Sequence, residues 1–262
     1  MRAEGDHSAL SDEDDNLPSY QAYFESGQYD LRYPGPNRTI ARRLAQLLTP
    51  ESSLLDFGCG SGRYLLSLQG RVGRAAGYDI SPAALALLRA RAAARGWDEL
   101  SILGPETAAL PQYVAQRGQV DLVLCLFGVL AHITSPVARA EALERMRLAL
   151  KPGSGRLLLS VPNIRRRFRQ EQRQMNGAAP GFVRYRRRIN GGSVPLNYQL
   201  FDAERLRREL TEAGFLVRRL GCESVLPESW IVNGPAARHV DGILTPICPL
   251  RWCYGIYAEA SC

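Results

Sequence analysis

The 262-residue chain has few features of a membrane protein, a secreted protein or a metalloprotein. Its longest apolar run, residues 122–131, is about half as long as a bilayer-spanning helix requires. The first fifteen residues are polar and acidic, unlike a signal peptide, so we expect a cytoplasmic protein without membrane contact. The six cysteines form no CxxC pair, and Cys248 and Cys253 have no histidine partner at metal-binding spacing. This pattern predicts reduced thiols and no metal site.

Lysine is almost absent, because Lys151 is the single lysine among 33 basic residues and the rest are arginine. The net charge is +7, although residues 1–15 hold six acids and one arginine. These residues predict a disordered acidic tail over residues 1–16, and the remaining chain is strongly basic. The excess arginine fits an anionic partner, but it also fits a biased base composition of the genome, so it identifies no partner.

The content of 45% apolar and 23% charged residues is ordinary for a globular protein with one core. From Ser52 onward strand and helix patterns alternate, which predicts a parallel sheet covered on both faces. Helices are predicted over residues 39–48, 63–68, 82–95, 137–150 and 203–213. We expect an N-terminal helical lid at 17–50 and a main domain at 51–262, with insertions at 163–195 and 221–251.

One stretch, residues 54–64 (LLDFGCGSGRY), organises the functional prediction. Leu54 and Leu55 end a buried strand, three glycines follow, and a helical pattern starts at Arg63. A strand, a glycine turn and a helix form a nucleotide-binding loop, because glycine permits close backbone approach. The spacing G-x-G-x-G differs from the dinucleotide fingerprint, and the Gly-Lys-Ser/Thr of the phosphate loop is absent. Pyrophosphate and triphosphate ligands are therefore disfavoured.

The string D-x-G-C-G-x-G-x-Y, with an acid ending the next strand, resembles motif I of the class I S-adenosylmethionine-dependent methyltransferases. The resemblance spans about residues 52–161 and includes the L-K-P-G turn at 150–153. It implies an α/β fold with a Rossmann-like, seven-stranded, mostly parallel sheet and helices on both faces. It also implies an N-terminal lid, insertions after strands five and six, S-adenosyl-L-methionine as cofactor and S-adenosyl-L-homocysteine as product.

The carboxylates near the loop suit such a ligand, which has a sulfonium and no phosphate. Asp79 follows Asp56 by 23 residues and ends the next strand, where a carboxylate can accept both ribose hydroxyls. Alternatively, Asp79 caps the helix beginning near Pro82, although Ser81 is already an N-cap candidate. Glu106 lies where the family contacts adenine, or it is a surface loop acid. The resemblance assigns cofactor contacts to Asp56, Gly58, Cys59, Gly60, Gly62, Tyr64, Asp79, Ile80, Glu106, Leu126 and Phe127.

Two side chains are candidate catalytic residues. His132 follows the fourth strand in the loop that the resemblance places near the substrate, where it can accept a proton or polarise a hydroxyl. The alternative is a structural role, capping a helix or bonding in the core. Tyr198 occupies a position that commonly faces the substrate pocket in small-molecule members of the family. Alternatively, it is a core tyrosine. Methyl transfer needs no enzyme nucleophile, only alignment and, for hydroxyl or amine acceptors, removal of a proton.

Three segments around this core leave alternatives open. Residues 20–36 hold five aromatic side chains, which either pack on the flank of the sheet or close over the pocket as a lid. Residues 165–188 hold nine arginines with interleaved aromatics. They could grip RNA, recognise an acidic or phosphorylated small substrate, or form a solvated helix-loop-helix. The insertion at 221–251, with Trp230, is expected to be a substrate cap.

Three functions follow from these alternatives. The first is methyl transfer to an oxygen or nitrogen atom of a small-molecule metabolite, which the sequence favours. The second is a tRNA methyltransferase of the wobble-uridine type that uses the arginine-rich insertion. The third is a non-catalytic cofactor-binding protein. We expect a monomer or a homodimer; the acceptor itself is not encoded in any recognisable motif.

Overall fold

The computed structural model describes residues 16–175 and 180–262, and within these residues nine strands form two sheets. The strands are β1 (Ser53–Phe57), β2 (Arg74–Tyr78), β3 (Ser101–Leu103), β4 (Leu122–Cys125), β5 (Arg156–Pro162), β6 (Phe182–Ile189), β7 (Gly192–Gln199), β8 (Leu216–Ser224) and β9 (Gly255–Ser261). Seven of them form one sheet in the order β3-β2-β1-β4-β5-β9-β8. Strands β1 to β5 are parallel, and β9 is antiparallel to both β5 and β8. This arrangement confirms the predicted seven-stranded, mostly parallel sheet.

The described residues form eleven α-helices, four of which begin at a side chain that caps the first turn (Asn37, Ser81, Ser135 and Asp202). They are α1 (Leu17–Glu25), α2 (Gln28–Arg32), α3 (Arg38–Leu47), α4 (Pro82–Ala94), α5 (Ala109–Arg117), α6 (Val129–His132), α7 (Pro136–Ala149), α8 (Arg169–Gln174), α9 (Ala203–Glu212), α10 (Glu228–Asn233) and α11 (Pro235–Leu244). The Ser81 hydroxyl accepts a hydrogen bond from the Ala84 amide before α4, and Ser135 does the same for Ala138 before α7. Helices α3, α4, α7 and α9 consequently begin and end within one residue of their predicted bounds.

The helix predicted from Arg63 is wrong. Only one turn of 3-10 helix forms there, at Leu65–Leu68. Gly62 and Gly70 bracket this turn with φ values of +90° and +71°. The few residues between them are too short a segment to form a stable α-helix.

The sheet is buried on both faces, because its strands send alternate side chains into two apolar clusters. Leu54 and Leu124 pack with α3 and α4 on one face. Leu55 and Cys125 pack with α5, α7 and α9 on the other. This double burial explains why the parallel strands are apolar at nearly every position.

The arginine-rich insertion contains a strand hairpin, so the helix-loop-helix alternative is wrong. Strands β6 and β7 pair antiparallel, with Ile189 opposite Gly192. This register leaves Asn190 and Gly191 as a two-residue turn, and Gly191 has a φ of +80°. Asn-Gly between alternating apolar residues is a strong hairpin signal that the sequence analysis overlooked. The insertion therefore extends through Tyr198, which lies on β7.

Two further segments flank the sheet. The predicted disordered tail lies outside the described residues except for Asn16, which is buried. The Asn16 amide donates hydrogen bonds to the carbonyls of His132 and Asn197, at 2.9 and 3.0 Å. The insertion after β8 begins beyond Ser224 and holds α10 and α11. Among the described helices, none has both the length and the apolar character needed to cross a membrane.

Candidate cofactor and substrate site

A cavity lies outside the carboxyl ends of β1 and β4, where the strand order reverses. In open α/β sheets this switch point is where ligands bind. The walls come from the loops after β1, β2 and β4, from α1 and α2, from the β6–β7 hairpin and from both ends of the second insertion. Six predicted cofactor residues line this cavity: Gly58, Gly60, Asp79, Ile80, Leu126 and Phe127. The candidate catalytic residues His132 and Tyr198 line it as well.

The glycine loop lies in close contact with its neighbours. Gly58 and Gly60 have φ values of +78° and +53°, in the left-handed region that favours glycine. A Cβ atom at Gly60 would lie 3.1 Å from Cζ of Phe24. At Gly58 it would lie 2.5 Å from Cγ1 of Val129. Only glycine therefore allows this backbone to border the cavity without displacing α1 or α6.

The Asp79 carboxylate fixes the shape of the loop. One oxygen accepts a hydrogen bond from the Gly60 amide and the other from the Ser81 amide, both at 2.8 Å. Ser81 itself caps α4, so the cap position does not require Asp79. A carboxylate has about four lone-pair positions, so Asp79 retains acceptor capacity toward the cavity. Burial raises the pKa of Asp79, and its backbone hydrogen bonds oppose that rise.

Five predicted cofactor positions do not line the cavity: Asp56, Cys59, Gly62, Tyr64 and Glu106. Asp56 is buried within β1, and burial together with the charge of Asp79 raises its pKa to about 7. A Cβ atom at Gly62 would lie 2.6 Å from Leu88, so this glycine packs the loop against α4. Cys59 and Tyr64 lie in the apolar cluster on that face. Glu106 is exposed, and its contact with adenine stays a prediction.

The five aromatic side chains of the N-terminal segment line the cavity: Tyr20, Tyr23, Phe24, Tyr29 and Tyr33. The Asp30 carboxylate anchors this segment, accepting a hydrogen bond from the Ser61 hydroxyl at 2.6 Å and pairing with Arg91. Tyr33 lies edge-on to Phe127 at 4.5 Å between ring centroids. The segment thus covers the cavity, which is the arrangement that the lid alternative expected.

Arg63 connects the glycine loop to both covering segments. Its guanidinium lies 4.2 Å from the Phe127 ring centroid and 5.3 Å from that of Tyr33. It donates to the Gly35 carbonyl at 2.7 Å and forms an ion pair with Glu228 on α10. Among the described residues, its buried Nη1 atom has no hydrogen-bond partner. Arg63 thus joins the loop to the covering segments without lining the cavity itself.

His132 and Tyr198 form a neutral pair in the wall of the cavity. The imidazole lies 4.7 Å from the Tyr20 ring centroid and 4.2 Å from that of Tyr198. Burial, assisted by the charge of Arg187, lowers the pKa of His132 to about 3. Burial raises the pKa of Tyr198. His132 Nδ1 is buried without a partner in the described part of the chain, and at neutral pH the uncharged imidazole lies beside a protonated phenol.

Glu223 is a cavity residue that the sequence analysis missed. It lies near the carboxyl end of β8 and is 8% exposed. Its Oε1 atom is buried and lacks a partner within residues 16–175 and 180–262. Burial raises the pKa of Glu223 to about 7, and the charge of Glu228 adds to the rise. A hydrogen bond with Ser160 acts in the opposite direction. An acid at the carboxyl end of a sheet strand was the signal that could have identified it.

Two arginines of the first insertion also line the cavity and were not singled out by sequence. Arg187 on β6 lies 4.8 Å from the Tyr185 ring centroid, and Arg167 lies 4.4 Å from that of Tyr254. In the described part of the chain, neither guanidinium forms an ion pair with an acidic side chain. The alternation of β6 was the available signal, because Val183 and Tyr185 are buried and Arg187 continues their face.

Comparisons with known proteins agree with this geometry. A sequence model of a family described as "Methyltransferase domain" matches residues 29–220. A comparison with curated proteins gave no significant match.

Three solved structures illustrate the fold that the chain shares. The "DhpI-SAM-HEP complex" aligns at 18% identity and a TM-score of 0.59, over 99% of this chain and 100% of that one. The glycopeptide N-methyltransferase MtfA with S-adenosyl-L-homocysteine aligns at 14% identity and a TM-score of 0.57. The alignment covers 87% of this chain and 90% of that one. The third is a complex between the Haloferax volcanii Trm112 methyltransferase activator and a protein described as a putative methyltransferase. It aligns at 17% identity and a TM-score of 0.59, over 94% of this chain and 96% of that one.

Proposed function

The chain belongs to the class I S-adenosylmethionine-dependent methyltransferases, and we propose that it methylates an oxygen or nitrogen atom of an acidic small molecule. The enzymatic family excludes the third function, a non-catalytic binding protein. The observation that carries the proposal is the pair Arg167 and Arg187, two cavity guanidiniums without a carboxylate partner among the described residues.

The cofactor fits the loop side of the cavity. Gly58, Gly60, Asp79, Ile80 and Phe127 border it together, and they combine close backbone approach with a carboxylate acceptor. These residues would hold the nucleoside and the methionine arm. When bound, the cofactor supplies an electrophilic methyl group on its sulfonium. The contacts of the five predicted cofactor residues that lie outside the cavity are not needed for this assignment.

The acidic part of the substrate would bind at the opposite wall. A guanidinium recognises carboxylate or phosphate through paired hydrogen bonds. Arg187 and Arg167 contact aromatic rings rather than acids, and Arg187 also hydrogen-bonds Tyr185, so the remaining donors of both guanidiniums are available to a ligand. Both guanidiniums are partly buried, and a bound anion offsets the free-energy cost of removing an unpaired charge from water. Four neighbouring arginines of the same insertion are outside this wall and exposed: Arg165, Arg169, Arg184 and Arg186.

The acceptor atom would lose its proton to Glu223. A carboxyl with a pKa of about 7 is matched to proton transfer at neutral pH. His132, with a pKa of about 3, is too weak a base for that step. Its unpartnered Nδ1 and the Tyr198 hydroxyl would instead orient the substrate by hydrogen bonding. The aromatic lid excludes water, so that donor and acceptor meet in an aligned, desolvated cavity.

The test is a turnover assay with labelled cofactor and paired acceptors, each carboxylate or phosphate compared with its neutral amide or ester. We expect the acidic member of a pair to be preferred. Arg187→Gln should raise KM for it at least about tenfold, the loss of roughly 1.4 kcal/mol of binding. Arg186→Gln is the matched control, because Arg186 lies next along β6, is exposed and contacts Ser193. Equal turnover of neutral acceptors, or equal effects of both variants, would reject the acidic substrate.

A second candidate is methylation of tRNA. A groove outside the cavity is lined by five arginines and an exposed tryptophan: Arg165, Arg166, Arg169, Arg173, Arg251 and Trp252. Such a surface suits phosphate contacts and stacking. Binding of bulk tRNA that weakens steeply with salt, and that Arg169→Gln with Arg173→Gln reduces, would favour this candidate. Methylation of small acids with no tRNA binding would reject it.

A further inference from the structure

Cys222 meets two cysteines from a later segment of the chain, Cys248 and Cys253, beside strands β8 and β9. Cys222 lies on β8, Cys248 follows α11, and Cys253 precedes β9. Their three Sγ atoms all lie within 4.8 Å of one another. Cys253 is fully buried, Cys222 is 6% exposed, and Cys248 is partly exposed. The sequence spacing gave no sign of this cluster, because the fold alone brings the three residues together.

The thiols have no strong hydrogen-bond partners. Apart from one another, they contact backbone carbonyl oxygens: Cys222 that of Ser224 at 3.3 Å, Cys248 and Cys253 that of Pro249 at 3.6 Å, and Cys253 that of Cys248 at 4.0 Å. A tetrahedral zinc site with Zn–S bonds of about 2.3 Å places its sulfurs about 3.8 Å apart. Because no two Sγ atoms are more than 4.8 Å apart, each separation needs a contraction of at most about 1 Å to reach metal-binding geometry.

We propose that Cys222, Cys248 and Cys253 bind one thiophilic metal ion, for which Zn²⁺ is the ion to test. A donor set of three sulfurs without oxygen ligands selects soft or borderline ions over Mg²⁺ or Ca²⁺. Binding a divalent ion releases the three thiol protons and forms three metal–sulfur bonds, which leaves the site with one negative charge. The charge of Arg166 acts on Cys248 and Cys253 and balances it. A water molecule on the exposed side of Cys248 would complete four ligands.

The ion would be structural rather than catalytic. None of the three cysteines lines the cavity, but Ser224, Tyr254 and Gly255 beside them do. The three ligands join β8, the start of β9 and the loop after α11. A metal bond among them would fix the ends of the second insertion, including the loop bordering Glu223 and Glu228. The site thus stabilises one wall of the cavity from outside.

The experiment uses the full chain, reduced and stripped with a chelator, then titrated with Co²⁺ as a spectroscopic substitute for Zn²⁺. We expect thiolate-to-cobalt charge-transfer absorption that saturates at one ion per chain and disappears when Zn²⁺ is added. Zn²⁺ should also raise Tm, because an ion that binds only the folded chain stabilises it. Cys248→Ser should weaken Co²⁺ binding by at least about 100-fold, since even outer partners of metal ligands contribute 10- to 100-fold.

Cys262→Ser is the matched control, because Cys262 is equally a partly exposed thiol but lies apart from the cluster, near Arg147. It should bind Co²⁺ as the unaltered chain does. Circular dichroism checks that both variants fold. The proposal is overturned if no saturable charge-transfer band appears or if Cys248→Ser retains it. It is also overturned if unreduced protein holds a disulfide between two of the three cysteines and no metal.

Discussion

The contact between the glycine loop and the lid makes Gly60→Ala the sharpest test of the cofactor site. Gly60 has a φ of +53° and borders the cavity, and its amide donates to Asp79. A methyl group there would lie 3.1 Å from Cζ of Phe24, so the lid ring must shift by a few tenths of an ångström. Because Gly60 and Phe24 both line the cavity, this shift changes the space proposed for the cofactor. We therefore expect the variant to lose both stability and cofactor affinity.

A second glycine, which has the same backbone conformation but no close neighbour, separates the cost of backbone strain from the effect on the cavity. Gly70 has a φ of +71°, but a Cβ atom there meets nothing within 4 Å. Holding alanine in the left-handed region costs about 1–2 kcal/mol, so Gly70→Ala should lower Tm by roughly 2–8 °C. Gly60→Ala should show at least this loss. Cofactor affinity should fall at least about tenfold for Gly60→Ala alone, which corresponds to about 1.4 kcal/mol.

Isothermal titration with S-adenosyl-L-homocysteine and thermal melts of both variants measure the two effects. If Gly60→Ala and Gly70→Ala bind the ligand as tightly as the unaltered chain, the loop is not the cofactor site. If both lose affinity equally, backbone strain explains the loss and the contact with the cavity does not.

Three further predictions follow from buried and paired charges. Burial raises the pKa of Glu223 from 4.5 to about 7, so the folded chain keeps this proton when the unfolded chain has lost it. The free energy of unfolding therefore falls as pH rises from about 4.5 to 7, and Glu223→Gln should remove about 3 kcal/mol of that fall in urea titrations. The same variant should lower kcat by a factor of about 10²–10⁴ and abolish the rise of kcat near pH 7. An unchanged pH profile of kcat would contradict the role of Glu223 as general base. Arg139 is 1% exposed and pairs with Glu209. Arg139→Met should therefore lower the free energy of unfolding, measured by chemical denaturation, by about 3 kcal/mol. A loss under about 1 kcal/mol would contradict a buried, stabilising ion pair. Hydrogen bonds from Lys151 and Ser53 outweigh burial and lower the pKa of Asp121 from 3.8 to about 2. Lys151→Met should cost under about 1 kcal/mol at pH 7, because the pair is half exposed, and its deficit should shrink between about pH 4 and 2.

The parallel sheet, the main helices and the glycine loop were predictable because their signals are local. Strand and helix periods, N-cap serines such as Ser81, and glycines at fixed spacing each depend on neighbours a few residues away. Asp79 was identified for the same reason, since the end of a strand can be read from the sequence. The Asn190–Gly191 hairpin was equally local, and its omission was an error of interpretation.

The composition of the cavity wall was decided by tertiary structure. Arg187 and Glu223 belong to β6 and β8, which lie in different sheets, and no spacing rule connects them although both line the cavity. The same holds for Cys222 and Cys248, which meet only when the second insertion closes against the sheet. Sequence determines backbone geometry through short-range torsions, caps and alternation. Side chains from distant segments become neighbours only when the whole core packs, so their contacts cannot be derived from any one segment.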